Sequence, residues 1–342
     1  MAKKAMVIDG YKALTAALKA NQILSLYYFH GEERYLLERG LLQIRERLCP
    51  DGISSFNYRR YEGRDISLAV LDDAINTLPA FAERTLIVVH DYDIFKSEDK
   101  PRLIKILADL PEYVCLIFVF DTVVYKPDGR RKDDKELQKH AQVLEFPLQQ
   151  QAALIGWIKR HFKDADKEIS TSDAEYLALL TGGLMTALIG EIGKVAAYTS
   201  ETAVRRSDID AVVIPTLDTA AYKVSDALVR RDHMEAMRLL DELFRMREAP
   251  HRIFFSIALK MRQLLAARIC IESNSGVNAF MKMCGIWQEY HARPIMSTAQ
   301  KSSLKQCRDA VLMCSDTAYA LNSSSDPEAS LVELIVRLGT RE

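Results

Sequence analysis

The stretch Leu86-Ile87-Val88-Val89 consists only of aliphatic side chains. A continuous apolar run of this length, without polar alternation, is typical of a strand buried on both faces of a parallel sheet. A second run of the same kind, at 114–120, follows a segment in which leucines recur with helical spacing. Because parallel strands must be joined by crossovers, usually helices, the two runs predict the centre of a parallel α/β sheet.

Three further strands are predicted before and after these two runs, so that strands and helices alternate along this part of the chain. They are predicted at 24–29, around Phe56 and Tyr58, and at 143–146. The segment 126–134 is charged and contains proline and glycine, so it is predicted as a loop. The intervening segments have helical spacing, and one of these helices is expected to have a buried face formed by Leu68, Leu71, Ile75 and Leu78.

The pattern after Pro147 is helical throughout. Ser172 and Glu175 are predicted to form a capping box, and the glycines at 182–183 to end that helix. A second break falls near 214–215, and about five helices are expected after it. We therefore predict three domains: an α/β domain at 1–147, a small helical, lid-like domain at 148–213, and a C-terminal helical domain at 214–342.

Composition narrows the function further. The formal net charge of the 342 residues is −1, whereas a protein that holds DNA alone by neutralising phosphates is usually basic. Proteins are thus the expected direct partners, with any DNA contact shared. The six cysteines form no C-x-x-C pair and no Cys/His cluster with zinc-ligand spacing, so no metal site is predicted. Without an apolar run near the ~20 residues that span a bilayer, or one of signal-peptide length, a cytoplasmic protein without membrane contact is expected.

The loop after the first predicted strand is where phosphate-binding α/β proteins hold nucleotide. Here it reads His30-Gly31-Glu32-Glu33-Arg34, with one glycine and no lysine. The two glutamates are expected in the first turn of the following helix, where they favour its positive end and repel a triphosphate. The simpler interpretation, which is favoured, is that they are ordinary first-turn residues. Both interpretations predict no conventional nucleotide site and no cofactor.

Other candidates for chemistry are weaker. Asp91 and Asp93 follow the 86–89 run and could hold Mg²⁺ in an ATPase, but without a phosphate loop they are interpreted as solvated loop residues. No histidine pairs with serine or cysteine in a nucleophilic motif, so no catalytic residue is predicted. The basic loop Arg130-Arg131-Lys132 is the best local candidate for touching DNA or a partner.

The segment Thr77-Leu78-Pro79-Ala80-Phe81-Ala82 closes one predicted helix and precedes the 86–89 strand. Proline ends the helix and restricts the backbone before it. Phe81 then either folds back into the core or stands out as an exposed anchor, and spacing alone leaves both open. An exposed Leu/Phe pair at a rigid helix end is typical of an interface hot spot.

The chain resembles the DNA polymerase III δ subunit family over nearly its whole length, in a set of short segments that occur in the same order as in the family. The segments are Tyr27-Tyr28-Phe29-His30-Gly31-Glu32-Glu33-Arg34-Tyr35-Leu36, Thr77-Leu78-Pro79-Ala80-Phe81, Glu83-Arg84-Thr85-Leu86-Ile87-Val88-Val89, Glu191-Ile192-Gly193-Lys194-Val195, Tyr222-Lys223-Val224-Ser225-Asp226-Ala227-Leu228, Glu248-Ala249-Pro250, Arg262-Gln263-Leu264-Leu265, and Ser324-Ser325-Asp326-Pro327-Glu328 with 331–338. The sequence departs from the family at Ala80, where a second aromatic is common, at Gly193, which replaces a usual acid, and at Asn322, where a lysine is common.

The resemblance implies a degenerate AAA+-like ATPase fold without a P-loop, followed by two all-α domains. It implies a non-catalytic subunit of the polymerase III holoenzyme that binds and opens the β sliding clamp. Its implied partners are the γ/τ and δ′ subunits, met in a collar, and primer–template DNA within the assembled complex. The implied clamp-binding residues are Leu78 and Phe81 as anchors, with Pro79 and Ala80 shaping the tip. The alternatives are an active ATPase with an atypical nucleotide site and a non-enzymatic helical adaptor.

Overall fold

The computed structural model describes residues 9–50, 54–63, 66–323 and 326–340. Ser324 and Ser325, which belong to the last segment of the family resemblance, lie outside the described residues. The chain forms two compact units, at 1–149 and 150–342. The further division of the second unit near residue 213 stays a prediction.

The first unit is an α/β domain. Its strands are β1 (Leu26–His30), β2 (Tyr58–Glu62), β3 (Thr85–His90), β4 (Val114–Phe120) and β5 (Gln142–Glu145). Its helices are α1 (Gly10–Lys19), α2 (Arg34–Leu48), α3 (Ser54–Asn57), α4 (Leu68–Asn76), α5 (Lys100–Ala108) and α6 (Lys132–Lys139).

The five strands form one parallel sheet in the order β2-β3-β4-β1-β5. Every residue of β3 and β4 is buried, which confirms the prediction from their uninterrupted apolar runs. Leu71 and Ile75 of α4 and Leu103 and Leu107 of α5 pack in the core on one side of this sheet. The junction between the end of α4 and the start of β3 carries the candidate site.

Three local predictions for this unit are wrong. Phe56 lies in the short helix α3 instead of a strand, and only Tyr58 begins β2. The predicted loop at 126–134 ends early, because α6 begins at Lys132. Leu78 does not belong to the buried face of α4, because Pro79 disfavours helical backbone at the residue before it and α4 ends at Asn76.

The second unit is helical apart from two short parallel strands, β6 (Glu168–Ile169) and β7 (Ala203–Val204). Its helices are α7 (Gln151–Asp164), α8 (Thr171–Thr181), α9 (Met185–Tyr198), α10 (Arg206–Val212), α11 (Leu217–Val229), α12 (His233–Arg245), α13 (Pro250–Glu272), α14 (Gly276–Cys284), α15 (Glu289–Gln300), α16 (Leu304–Ser323) and α17 (Pro327–Gly339). The region after 215 therefore contains seven helices among the described residues, where about five were expected.

The helix ends in this unit follow ordinary capping chemistry. Gly182 and Gly183 end α8, as predicted, and both have a φ of +75°, a conformation that glycine adopts without a steric cost. The cap at the start of α8 was misassigned. Ser170 is the N-cap, and its hydroxyl accepts a hydrogen bond from the Asp173 N–H at 3.0 Å. The long helix α13 packs on α11, α15 and α16 and organises the core of the C-terminal region.

Candidate functional site

The loop between α4 and β3, which we call the tip (residues 77–81), presents two large apolar side chains to solvent. Leu78 is 72% exposed and Phe81 is 86% exposed, whereas Pro79 and Ala80 between them are half-buried. Of the two alternatives that spacing left open for Phe81, the structure therefore has the exposed one. An exposed leucine and phenylalanine within four residues form the kind of apolar patch that marks a contact site.

Asn57 holds the tip from a distant part of the sequence. Its side chain is fully buried at the end of α3. The Asn57 amide donates to the Ala80 carbonyl at 2.5 Å, and its Oδ1 accepts from the Ala80 N–H at 2.7 Å. Both backbone groups of the residue between the anchors are thus paired with one rigid side chain. The sequence analysis missed Asn57, because nothing local indicates a bond across 23 residues.

The helix end that carries the tip is also fixed by side chains. The Thr77 hydroxyl donates to the Asp73 carbonyl at 2.7 Å, and the Asn76 amide donates to the Asp72 carbonyl at 2.9 Å. The Thr77 bond satisfies a carbonyl in the last turn of α4, where backbone N–H partners run out. Phe81 itself has a φ of +58°, which is rare for a bulky residue and costs free energy. A strained aromatic held in place at an exposed tip points to a function for that side chain.

A second exposed aromatic lies next to the tip. Phe56 is 58% exposed, and its ring centroid is 6.2 Å from that of Phe81 at an interplanar angle of 73°. This is the edge-to-face arrangement that aromatic pairs favour. The apolar surface at this corner of the domain therefore has contributions from two chain segments. Sequence reasoning missed it, since Phe56 was assigned to a half-buried strand.

The end of β1, where a phosphate loop would lie, is occupied by internal contacts. Gly31 has a φ of +135°, and a side chain there would approach the Phe146 carbonyl oxygen to 2.2 Å. The Glu33 N–H donates to that same carbonyl at 3.0 Å. Glu32 and Glu33 precede α2, with Glu33 as its buried N-cap residue, so their predicted place in the first turn is wrong. Arg34 begins α2 and forms an ion pair with Asp121 at 2.7 Å.

Asp91, at the end of β3, organises the loop after β4. Its carboxylate accepts hydrogen bonds from the N–H groups of Asp121, Thr122 and Val123 and from the Thr122 hydroxyl, at 2.8–3.0 Å. Burial by itself would raise the pKa of Asp91, but these four donors outweigh it and the pKa lies below its ordinary value. The carboxylate is therefore a structural anion that fixes the loop after β4, and the residue itself is partly exposed, in agreement with its interpretation as a loop residue.

The basic loop Arg130-Arg131-Lys132 is exposed, as expected for a contact candidate. Its position is fixed by Asp134, which is buried with Lys100 in an ion pair of 2.8 Å and also accepts the Asp128 N–H. A contact of this loop with DNA or a partner stays a prediction. Across the described ranges, no cluster of three or more His, Cys, Asp or Glu side chains could hold a metal ion. Nor is any helix within those ranges long and apolar enough to cross a membrane.

These features define the class of the protein. A parallel sheet with β1 between β4 and β5, followed by a helical unit, is the AAA+-like architecture that the family resemblance implies. Family models described as "DNA polymerase III, delta subunit" and "DNA polymerase III delta subunit, C-terminal domain" match residues 27–147 and 218–337. The chain belongs to the DNA polymerase III delta subunit family.

Individual relatives agree with this placement. The chain is 23% identical to the DNA polymerase III subunit delta of Bacillus subtilis, over 97% of this chain and 96% of that protein. It is 21% identical to a probable DNA polymerase III subunit delta of Aquifex aeolicus, over 84% and 83%. A solved structure of the Bacillus subtilis DNA clamp loader delta protein has the same fold, with a TM-score of 0.60 and 20% identity over 97% of this chain and 100% of that one.

Proposed function

We propose that this chain is the subunit of a bacterial clamp loader that binds and opens the β sliding clamp. Leu78 and Phe81 enter an apolar pocket of the clamp, and Pro79 and Ala80 shape the tip between them. The C-terminal helices assemble with the γ/τ and δ′ subunits, and primer–template DNA is met only within that cytoplasmic complex. The observation that carries the proposal is the exposed pair of anchors on a tip whose backbone is fixed by Asn57.

The energetics of the tip are suited to this role. Full burial of a leucine or phenylalanine side chain contributes ~1.5–3 kcal/mol. Because Asn57 fixes the Ala80 peptide and a side chain caps the end of α4, the tip has little backbone conformational entropy to lose on binding. Two anchors on a rigid tip can therefore supply several kcal/mol to a complex.

Ring opening follows from differential affinity. A closed ring has a minor state with one interface open, and a protein that binds this state more tightly shifts the population toward it. The shift cannot exceed the difference in binding free energy between the two states. Motor subunits that use ATP would control when this surface is available, so this chain needs no hydrolysis of its own.

The isolated chain is expected not to bind ATP. The Glu33 N–H, which would face a phosphate, is donated to Phe146, and Arg34 is paired with Asp121. Asp91 was considered as a Mg²⁺ ligand in the ATPase alternative, but its carboxylate already accepts four hydrogen bonds from the loop after β4. A titration with a fluorescent ATP analogue and Mg²⁺ should give no saturation up to millimolar concentrations. Saturable micromolar binding would instead favour the active-ATPase alternative.

Release of the cognate clamp from nicked circular DNA tests the proposed function most directly. The chain alone, without ATP or other subunits, should accelerate release of a labelled clamp by tenfold or more. If its binding free energy for the open ring exceeds that for the closed ring by only about 1.4 kcal/mol, the population of open rings already rises tenfold. A clamp whose ring interfaces are closed by engineered disulfides is the control and should remain on the DNA. A helical adaptor for other partners predicts release at the spontaneous rate.

A further inference from the structure

Phe56 has no evident structural reason for its exposure. It lies in α3, a separate segment from the tip, and its neighbour Asn57 is the fully buried residue that holds Ala80. Its ring is 58% exposed and contacts Phe81 edge to face. Large exposed aromatic side chains in contact are uncommon on a soluble domain unless they serve an interaction.

The geometry limits how a partner can enclose Phe81. A centroid separation of 6.2 Å in an edge-to-face pair is van der Waals contact, so no side chain of a partner fits between the two rings. A pocket wall that surrounds Phe81 must therefore pass over Phe56 as well. Asn57 keeps the two segments in register, because it is adjacent to one ring in sequence and hydrogen-bonded beside the other.

We infer that Phe56 is a third contact residue of the clamp-binding surface, and that the partner's pocket accepts a pair of aromatic rings. This inference rests on the proposed function. It extends the contact from a single loop to a surface built by α3 and the tip. Phe56 thereby acts as a specificity determinant, since a pocket shaped for one isolated ring would collide with it.

The test is the affinity of the full chain for the purified cognate clamp, measured by surface plasmon resonance. Phe56→Ala should weaken binding about fivefold, a loss typical of a contributing interface aromatic. Phe56→Glu should weaken it further, because a charge would then be buried at the apolar rim. The matched control is Phe255→Ala, since Phe255 is a similarly exposed phenylalanine (62%) on α13 of the second unit. Thermal melting of each variant should match that of the wild type, as both rings lie at the surface.

Coupling to Phe81 gives a second readout. In the Phe81→Ala background, adding Phe56→Ala should cost less than it does in the wild type, because the pocket wall no longer has a ring to enclose. The inference is overturned if Phe56→Ala binds like Phe255→Ala, or binds more tightly than the wild type. In either case the proposed function stands, provided that the wild type binds the clamp. A wild-type chain with no clamp affinity would overturn both.

Discussion

Replacing both Leu78 and Phe81 with alanine is expected to abolish clamp binding under ordinary assay conditions. Two anchors at ~1.5–3 kcal/mol each give a combined loss of about 3–6 kcal/mol, which is a factor of roughly 10² to 10⁴ in affinity. The two side chains are 72% and 86% exposed, so the fold should tolerate the change. Surface plasmon resonance against immobilised cognate clamp measures the loss.

The same variant should still assemble with the other clamp-loader subunits. Leu78 and Phe81 lie in the unit at 1–149, whereas the proposed assembly surface is formed by the C-terminal helices of the other unit. Co-elution with the motor subunits on gel filtration is the check. Val124→Ala is a control within the same unit, because it shortens a similarly exposed apolar side chain (74%) on the loop after β4, at the opposite end of the parallel sheet from the tip. Undiminished clamp affinity in the Leu78/Phe81 variant would remove the assignment of the site.

The sheet was predictable because its signal is local and strong. The runs at β3 and β4 are apolar without interruption, and burial on both faces of a parallel sheet is the simplest way to satisfy them. Phe56 shows where this reasoning ends. Its alternation with Tyr58 resembles a strand, yet the strand begins only at Tyr58 and Phe56 belongs to a short helix that presents it to solvent.

The residues of the candidate site could be proposed from the sequence, but the geometry of the tip could not. Pro79 indicated a helix end, and the family resemblance implied that Leu78 and Phe81 are anchors, but exposure of Phe81 depends on how the tip backbone is held. That hold comes from Asn57, 23 residues away, and a hydrogen bond between distant segments leaves no periodic signal in a sequence. The same limit applies to the ion pair of Arg34 with Asp121, whose partners are 87 residues apart.

At the end of β1, the sequence predicted that no conventional nucleotide site is present, but the positions assumed for two glutamates were wrong. Glu32 and Glu33 were expected in the first turn of α2 and to repel phosphate from there. The structure places both before the helix, with Glu33 buried as the N-cap residue. The backbone that would cradle a phosphate is instead bonded to Phe146. Counting glycines and lysines could indicate a missing phosphate loop, but not what fills its place.

Asn57→Leu is expected to impair both stability and clamp binding. Leucine has a similar volume but leaves the N–H and carbonyl of Ala80 without their partner, and losing two such bonds should lower the free energy of unfolding by about 2–4 kcal/mol. The tip would then populate conformations that do not fit the clamp, and the apparent affinity falls with the competent fraction, here by about 10- to 100-fold. Thermal unfolding and surface plasmon resonance measure the two effects.

Measurements in a Phe81→Ala background distinguish a role of Asn57 in positioning the tip from its role in stability. In a Phe81→Ala background, Asn57→Leu should lower the melting temperature as before but cost little further clamp affinity, because the side chain being positioned is gone. Equal affinity losses with and without Phe81 would mean that Asn57 only maintains the fold, and the tip would then need another source of rigidity.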